Sequence, residues 1–194
     1  MASTLSWTSA DLASFPDDGK RYEIIDGELY VSKQPHAYHQ LVCVTVPALL
    51  AAWSKRSGAG RTLIAPGLIF GEDDDVAPDI VWISNARLAA VLEPDGKFHA
   101  APELVIEVLS PGRANERRDR EVKLELYSRT GVQEYWIPDW PNRNVEAYRR
   151  VDGQLRLVAT LHEGDLLETS LLPAFACKVA DLFEGIPSEG VPSD

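Results

Sequence analysis

A single carboxylate in an unexpected place constrains this chain more than anything else in it. In APELVIEVLSPG, residues 101–112, the residues Leu104, Val105, Ile106, Val108 and Leu109 form a run that wants to leave water. Glu107 sits in the middle of that run. A lone ionised carboxylate in a low-dielectric interior costs several kcal/mol or more unless it is paired or holds a metal. The fold must therefore bring a partner to Glu107, either a cation on a side chain such as Lys123 or Arg120, or a bound metal ion.

The rest of the chain is ordinary enough to supply a core around that problem. It has 194 residues, 45% of them hydrophobic and 25% charged, which suits one soluble globular domain. We expect a single domain over residues 1–185 and a flexible tail over 186–194. The two cysteines, Cys43 and Cys177, have no motif spacing, which favours a reducing, cytoplasmic setting. The N-terminus lacks a basic start and an apolar core, so it does not read as a signal peptide. No segment is expected to reach membrane-spanning length. The formal net charge of −11 argues against a protein that coats nucleic acid non-specifically, because phosphate neutralisation drives such binding. It leaves room for a nucleic-acid enzyme with a locally basic face.

Local signals give an α/β (α+β) fold with a mixed sheet, flanking helices and additional hairpins. Asp26-Gly27 and Asp152-Gly153 lie between apolar runs and predict tight two-residue hairpins. Residues 6–14 predict a short capped helix. Residues 37–56 predict a helix apolar nearly all round and largely buried, which Pro47 should kink or split. Residues 61–70 read as strand with a bend at Pro66-Gly67. Asp73, Asp74 and Asp75 read as a solvated acidic loop, since they lack calcium-loop spacing. A strand starts near Asp79, and residues 85–100 are mostly loop. A helix over 116–130 should end at Gly131. EYWIPDW is a strand in which Trp136 and Trp140 pack in the core or cover a sheet edge. The C-terminal part gives a strand and a short helix.

Asp79 opens the strand IVWI, and Glu107 lies in the next strand. If those strands are neighbours, the two carboxylates converge, and such a pair with room for water suits magnesium, with manganese able to substitute. Lys123 sits at the margin of the buried face of the following helix, where an ammonium can stabilise charge developing on a phosphate. Glu28, just after the first hairpin turn, could add a carboxylate. Each has a plainer reading: Asp79 as a turn former, Glu107 in a salt bridge, Lys123 and Glu28 on the surface. His39 either assists at the site or makes a local hydrogen bond at its helix start. Arg113, Arg117, Arg118 and Arg120, with Lys123, form either a substrate-binding basic patch or a solvated helix face. Asp119 is placed behind the site, paired with a neighbouring cation.

The ordered set resembles a known family. PD, then a strand bearing E, then a lysine, is similar to the PD-(D/E)XK nucleases. IIDGEL, His39 before an apolar helix, APDIVWI, PELVIEVLSP, the helix with Asp119 and Lys123, and GVQEYWIPD resemble the Uma-type restriction endonucleases over residues 20–183. The resemblance implies a restriction-endonuclease-like fold, divalent metal and phosphodiester hydrolysis, with DNA as substrate and a homodimer as assembly. It makes Asp79 and Glu107 metal ligands, Lys123 the catalytic lysine and Glu28 the additional acid. Leu109 stands where the general pattern has lysine, so the lysine has moved to the helix, at Lys123. Two other readings fit the same residues: an interaction module with a structural ion or salt bridge, and a hydrolase using the carboxylates as an acid/base pair.

Overall fold

The turn residues do locally what their chemistry demands. In the computed structural model, which describes residues 6–187, Asp26 and Gly27 both take positive φ (51° and 74°). They join β1 (Arg21–Ile25) to β2 (Glu28–Ser32) as an antiparallel hairpin, the tight turn expected of Asp-Gly. Asp152 and Gly153 (φ 50° and 82°) do the same for β9 (Asn144–Val151) and β10 (Gln154–His162).

A short helix α1 (Ser9–Leu12) precedes β1, capped by Thr8 and Asp11. The remaining elements are α2 (Ala37–Ser57), β3 (Gly60–Ile64), β4 (Leu68–Gly71), β5 (Asp74–Val76), β6 (Ile80–Ser84), α3 (Asn85–Val91), β7 (Leu104–Ile106), α4 (Arg113–Arg117), α5 (Lys123–Thr130), β8 (Glu134–Asp139), β11 (Leu166–Glu168), β12 (Ala176–Lys178) and α6 (Val179–Leu182). One sheet has the order β10-β9-β8-β7-β6-β3, and a smaller one β2-β1-β5-β4. Only β7 and β8 in the large sheet are parallel. The crossover that parallel strands require is the segment from α4 to α5, which carries Lys123.

Strand residues alternate between two cores. Ile80, Trp82, Leu104 and Ile106 face α2 and the C-terminal elements. Val81, Ile83 and Val105 face the small sheet and α5. The large sheet is thus buried on both sides, which is why LVIEVL and IVWI are apolar at successive positions.

Several expectations are corrected. Pro47 does not split α2, which runs unbroken from the His36 cap to Gly58, φ 67°. Val42 and Val46 before the proline, and Leu50 and Trp53 after it, pack into one core, and that packing outweighs the lost backbone bond. The helix is not buried all round, for Val44 is 67% exposed. It is also long and apolar enough to cross a bilayer, where no such segment was expected; its inner stripe is built into the core. Asp74 and Asp75 are not a solvated loop. They form part of β5, each only 4% exposed, because Arg129 and Lys97 reach over to pair with them. Residues 85–91 form a helix. The expected tail over 186–194 falls largely outside the described residues, and Ile186, within them, is buried in the core.

Candidate active site

β6 and β7 are antiparallel, with Ile80 opposite Ile106. Asp79 and Glu107 therefore lie side by side, one residue beyond that pair on each chain. The strand proper stops at Ile106, but the Glu107 N–H still donates to the Trp136 carbonyl at 3.1 Å. This continuation holds Glu107 in line with the sheet. The Val108 N–H donates to Asp79 Oδ2 at 3.0 Å, tying the two segments together.

Asp79 has two further partners. Arg21 Nη1 donates to Oδ1 at 3.0 Å, and His39 Nε2 lies 3.2 Å from Oδ2. Burial alone would raise this carboxyl, but the His39 hydrogen bond and the charges of His39, Arg21 and Lys123 outweigh it. The group is held well below the usual carboxylate range.

Glu107 Oε1 accepts from Lys123 Nζ at 2.8 Å and from the Tyr127 hydroxyl at 2.7 Å. Lys123 Nζ donates also to Glu23 Oε1 at 2.9 Å, and Glu23 Oε1 accepts the Ala77 N–H at 3.0 Å. Glu23 Oε2 is buried with no hydrogen-bond partner among the described residues. Burial pushes Glu107 up to about 7, helped by the charges of Asp79, Glu23 and Asp119 and opposed by Lys123. Burial works against the Lys123 ammonium, yet Glu107, Glu23 and Asp119 outweigh it and hold the amine above its ordinary value.

Lys123 reaches the site through a helical irregularity. Between α4 and α5, residues Arg118–Val122 form a π turn, closed where the Lys123 N–H bonds the Arg118 carbonyl. Single π turns inside helices recur at functional sites. Here the turn brings Asp119 and Lys123 inward, each 1% exposed. Arg118 Nε donates to Asp119 at 3.1 Å and its Nη1 to Ser32 at 2.7 Å.

Four carboxylates (Glu23, Asp79, Glu107 and Asp119) thus meet three permanent cations (Arg21, Arg118 and Lys123). All but Asp119, which sits behind Arg118, line a cleft of about 620 Å³, together with Lys33, His36 and Pro111. The residues fit a hard divalent cation. The donors are carboxylate oxygens, one of them an orphan in a buried place. A second set, His39, Cys43 and Asp79, has ligand-type atoms within 4.8 Å of one another. There His39 stands between the others, its Nδ1 3.5 Å from Cys43 Sγ, and burial raises the thiol well above its ordinary value. The three form a hydrogen-bonded line.

The structure therefore brings together Asp79, Glu107, Lys123, His39 and Asp119. It does not bring Glu28, which is exposed and accepts the Tyr30 hydroxyl at 2.9 Å at the turn end of its hairpin. Glu23, on the neighbouring strand, occupies the position expected of it. His39 meets Asp79, while the local bond at the helix start is made by His36, whose Nδ1 accepts the Tyr38 N–H. Arg113 is exposed outside the cleft lining. Arg117 pairs with Glu121, and Arg120 with Asp139, Glu146 and Glu116. Arg21 and Glu23 escaped the sequence reading, whereas Arg118, one of the basic patch, does line the cleft. Glu23 carried the signal that singled out Glu107, a carboxylate inside the apolar run YEII.

An α+β fold with a large mixed sheet, a smaller four-stranded sheet and a β11-β12 pair, and with paired carboxylates and a lysine at one end of the large sheet, is restriction-endonuclease-like. The chain belongs to the Uma2 family, described as "Putative restriction endonuclease", whose model matches residues 9–180. It is also similar to the crystal structure of "a putative nuclease belonging to DUF820" from Anabaena variabilis ATCC 29413. The TM-score is 0.73, at 20% identity over 91% of this chain and 97% of that one; at this identity the likeness is one of fold. No curated protein matches the sequence.

Proposed function

We propose that this protein is a metal-dependent endonuclease that hydrolyses phosphodiester bonds in DNA. The observation that carries the reading is the side-by-side pair Asp79 and Glu107 at a cleft floor, with Lys123 bonded to Glu107. Asp79, Glu107 and Glu23 would hold magnesium or manganese. When bound, such an ion lowers the pKa of a water and polarises a phosphate.

The chain's own residues do the rest. Arg21, His39 and the Val108 N–H fix Asp79 as an ionised, oriented carboxylate. Lys123 has three N–H donors and uses two on Glu107 and Glu23. The third remains to meet negative charge developing at a phosphate, in a water-poor site where such contacts are strongest. Asp119 anchors Arg118 along the wall. Membership of a restriction-endonuclease family supports the same reading.

The test is cleavage of labelled DNA with magnesium, with manganese and with EDTA, comparing wild type with Asp79→Asn and Glu107→Gln. We expect metal-dependent cutting that both substitutions abolish. Full activity in either variant, or cutting that survives EDTA, would overturn the reading.

A further inference from the structure

The cleft also carries information about what can enter it. The three carboxylates that line it, Glu23, Asp79 and Glu107, are each at most 6% exposed, so the scissile group must come in to them. At about 620 Å³ the cleft has the size of a small-ligand pocket, about 300–1,000 Å³. Duplex binding draws on many phosphate contacts, and the net charge of −11 works against them.

At the rim lies a flat group already held in place. His36 is exposed and lines the cleft. One face of its ring is stacked on buried Trp140, with centroids 5.0 Å apart and planes 17° apart. Its Nδ1 caps α2 by accepting the Tyr38 N–H at 3.1 Å. Tyr38 also packs against it, with centroids 4.9 Å apart and planes tilted 56°, so the ring is held in place while its exposed part lines the cleft. Lys33, exposed and without an ion pair among the described residues, stands on the same rim, and Arg118 on the wall.

We propose that the cleft receives an unpaired nucleic-acid strand and not an intact duplex, with a base stacked on the exposed part of the His36 ring and neighbouring phosphates met by Lys33 and Arg118. Aromatic stacking of this kind tolerates any base and is worth about 1–3 kcal/mol per base. This rests on the nuclease reading for the nature of the ligand, but strand choice is a separate property from turnover.

The experiment is fluorescence anisotropy with a labelled oligonucleotide, offered as single strand and as blunt duplex, in calcium. We expect the single strand to bind roughly ten-fold more tightly than the duplex. Two substitutions separate stacking from helix capping. His36→Asn keeps an N-cap acceptor and loses the ring, and should weaken single-strand binding roughly ten-fold with its melting temperature kept. His36→Phe keeps the ring and loses the cap, and should bind as wild type. Duplex binding equal to or tighter than single-strand binding, no loss in His36→Asn, or no binding of either form would overturn the proposal. A strand that binds as described but is never cut in magnesium or manganese would sink the catalytic reading and leave this one standing. A duplex that is bound and cut would do the reverse.

Discussion

Among the buried charges of the described residues, two clusters differ: one is fully paired and the other looks unfinished. On the small sheet, Asp74 takes two bonds from Arg129, at 2.7 and 2.8 Å, and one from the Asp26 N–H at 3.0 Å. Beside it, Asp75 takes Lys97 at 2.9 Å and Ser9 at 2.6 Å. Each buried acid has its own cation, and neither borders the cleft. In the cleft, Glu23 and Glu107 share the one ammonium of Lys123, one carboxylate oxygen is an orphan, and Glu107 is pushed up to about 7. Buried charge alone therefore does not mark a site. What marks one is buried charge left over after the protein's own pairings, facing a space that something can enter.

The sharpest way to break this contrast is Lys123→Met. It removes the ammonium shared by Glu23 and Glu107, and stripping a buried pair of one partner costs about 3–5 kcal/mol. Chemical denaturation should show a loss of that size, partly restored by magnesium; a loss under 1 kcal/mol, roughly that of a surface pair, would mean the cluster is not electrostatically tight. Glu107→Gln should act oppositely. A neutral amide suits a position that already resists ionisation, so melting temperature should hold while cleavage falls by about 100-fold or more, the order of losing one electrostatic contact in a dry site.

Arg129→Ala probes the finished cluster. Arg129 is 38% exposed on its side chain, so water can partly replace it, and the cost should be about 2 kcal/mol, below that of a fully buried pair. Specific activity of the folded fraction should not change. An activity loss there would merge the two clusters functionally. The smallest effect expected is metal stabilisation. Magnesium at ten times its Kd should add about 1.4 kcal/mol in wild type and in Arg129→Ala, and nothing in Asp79→Asn. A melting scan decides it.

Much of this was legible in the residues. The Asp-Gly turns fixed two hairpins, and the apolar runs around Asp79 and Glu107 announced strands buried on both faces. Their adjacency needed the fold. Glu23 was readable by the same rule that exposed Glu107, but the turn drew attention to Glu28, which the alternation of its strand sends outward. Arg21 could not be found locally, because its partner Asp79 is 58 positions away. Asp74 and Asp75 were misread because a run of acids looks solvated until a distant arginine and lysine are seen to cover it. The π turn has no composition signal at all: RDREV is good helix sequence, and only its position between two anchored helical pieces reveals it.

That turn makes the site depend on counting. An α helix advances about 100° per residue, and a π turn holds one residue more between bonded groups than an α turn does. The part after it is fastened to the sheets by Leu126, Tyr127 and Arg129, so Lys123 would stay where it is if one residue of 120–122 were deleted. Arg118 and Asp119 would instead swing about 100° away from the wall. The cleft would keep its lysine and lose the cation on its wall, with no side chain in it replaced. For this chain, a gain or loss of a single residue at that point is a change of phase between two halves of one helix, and substrate grip depends on that phase as much as on any side chain.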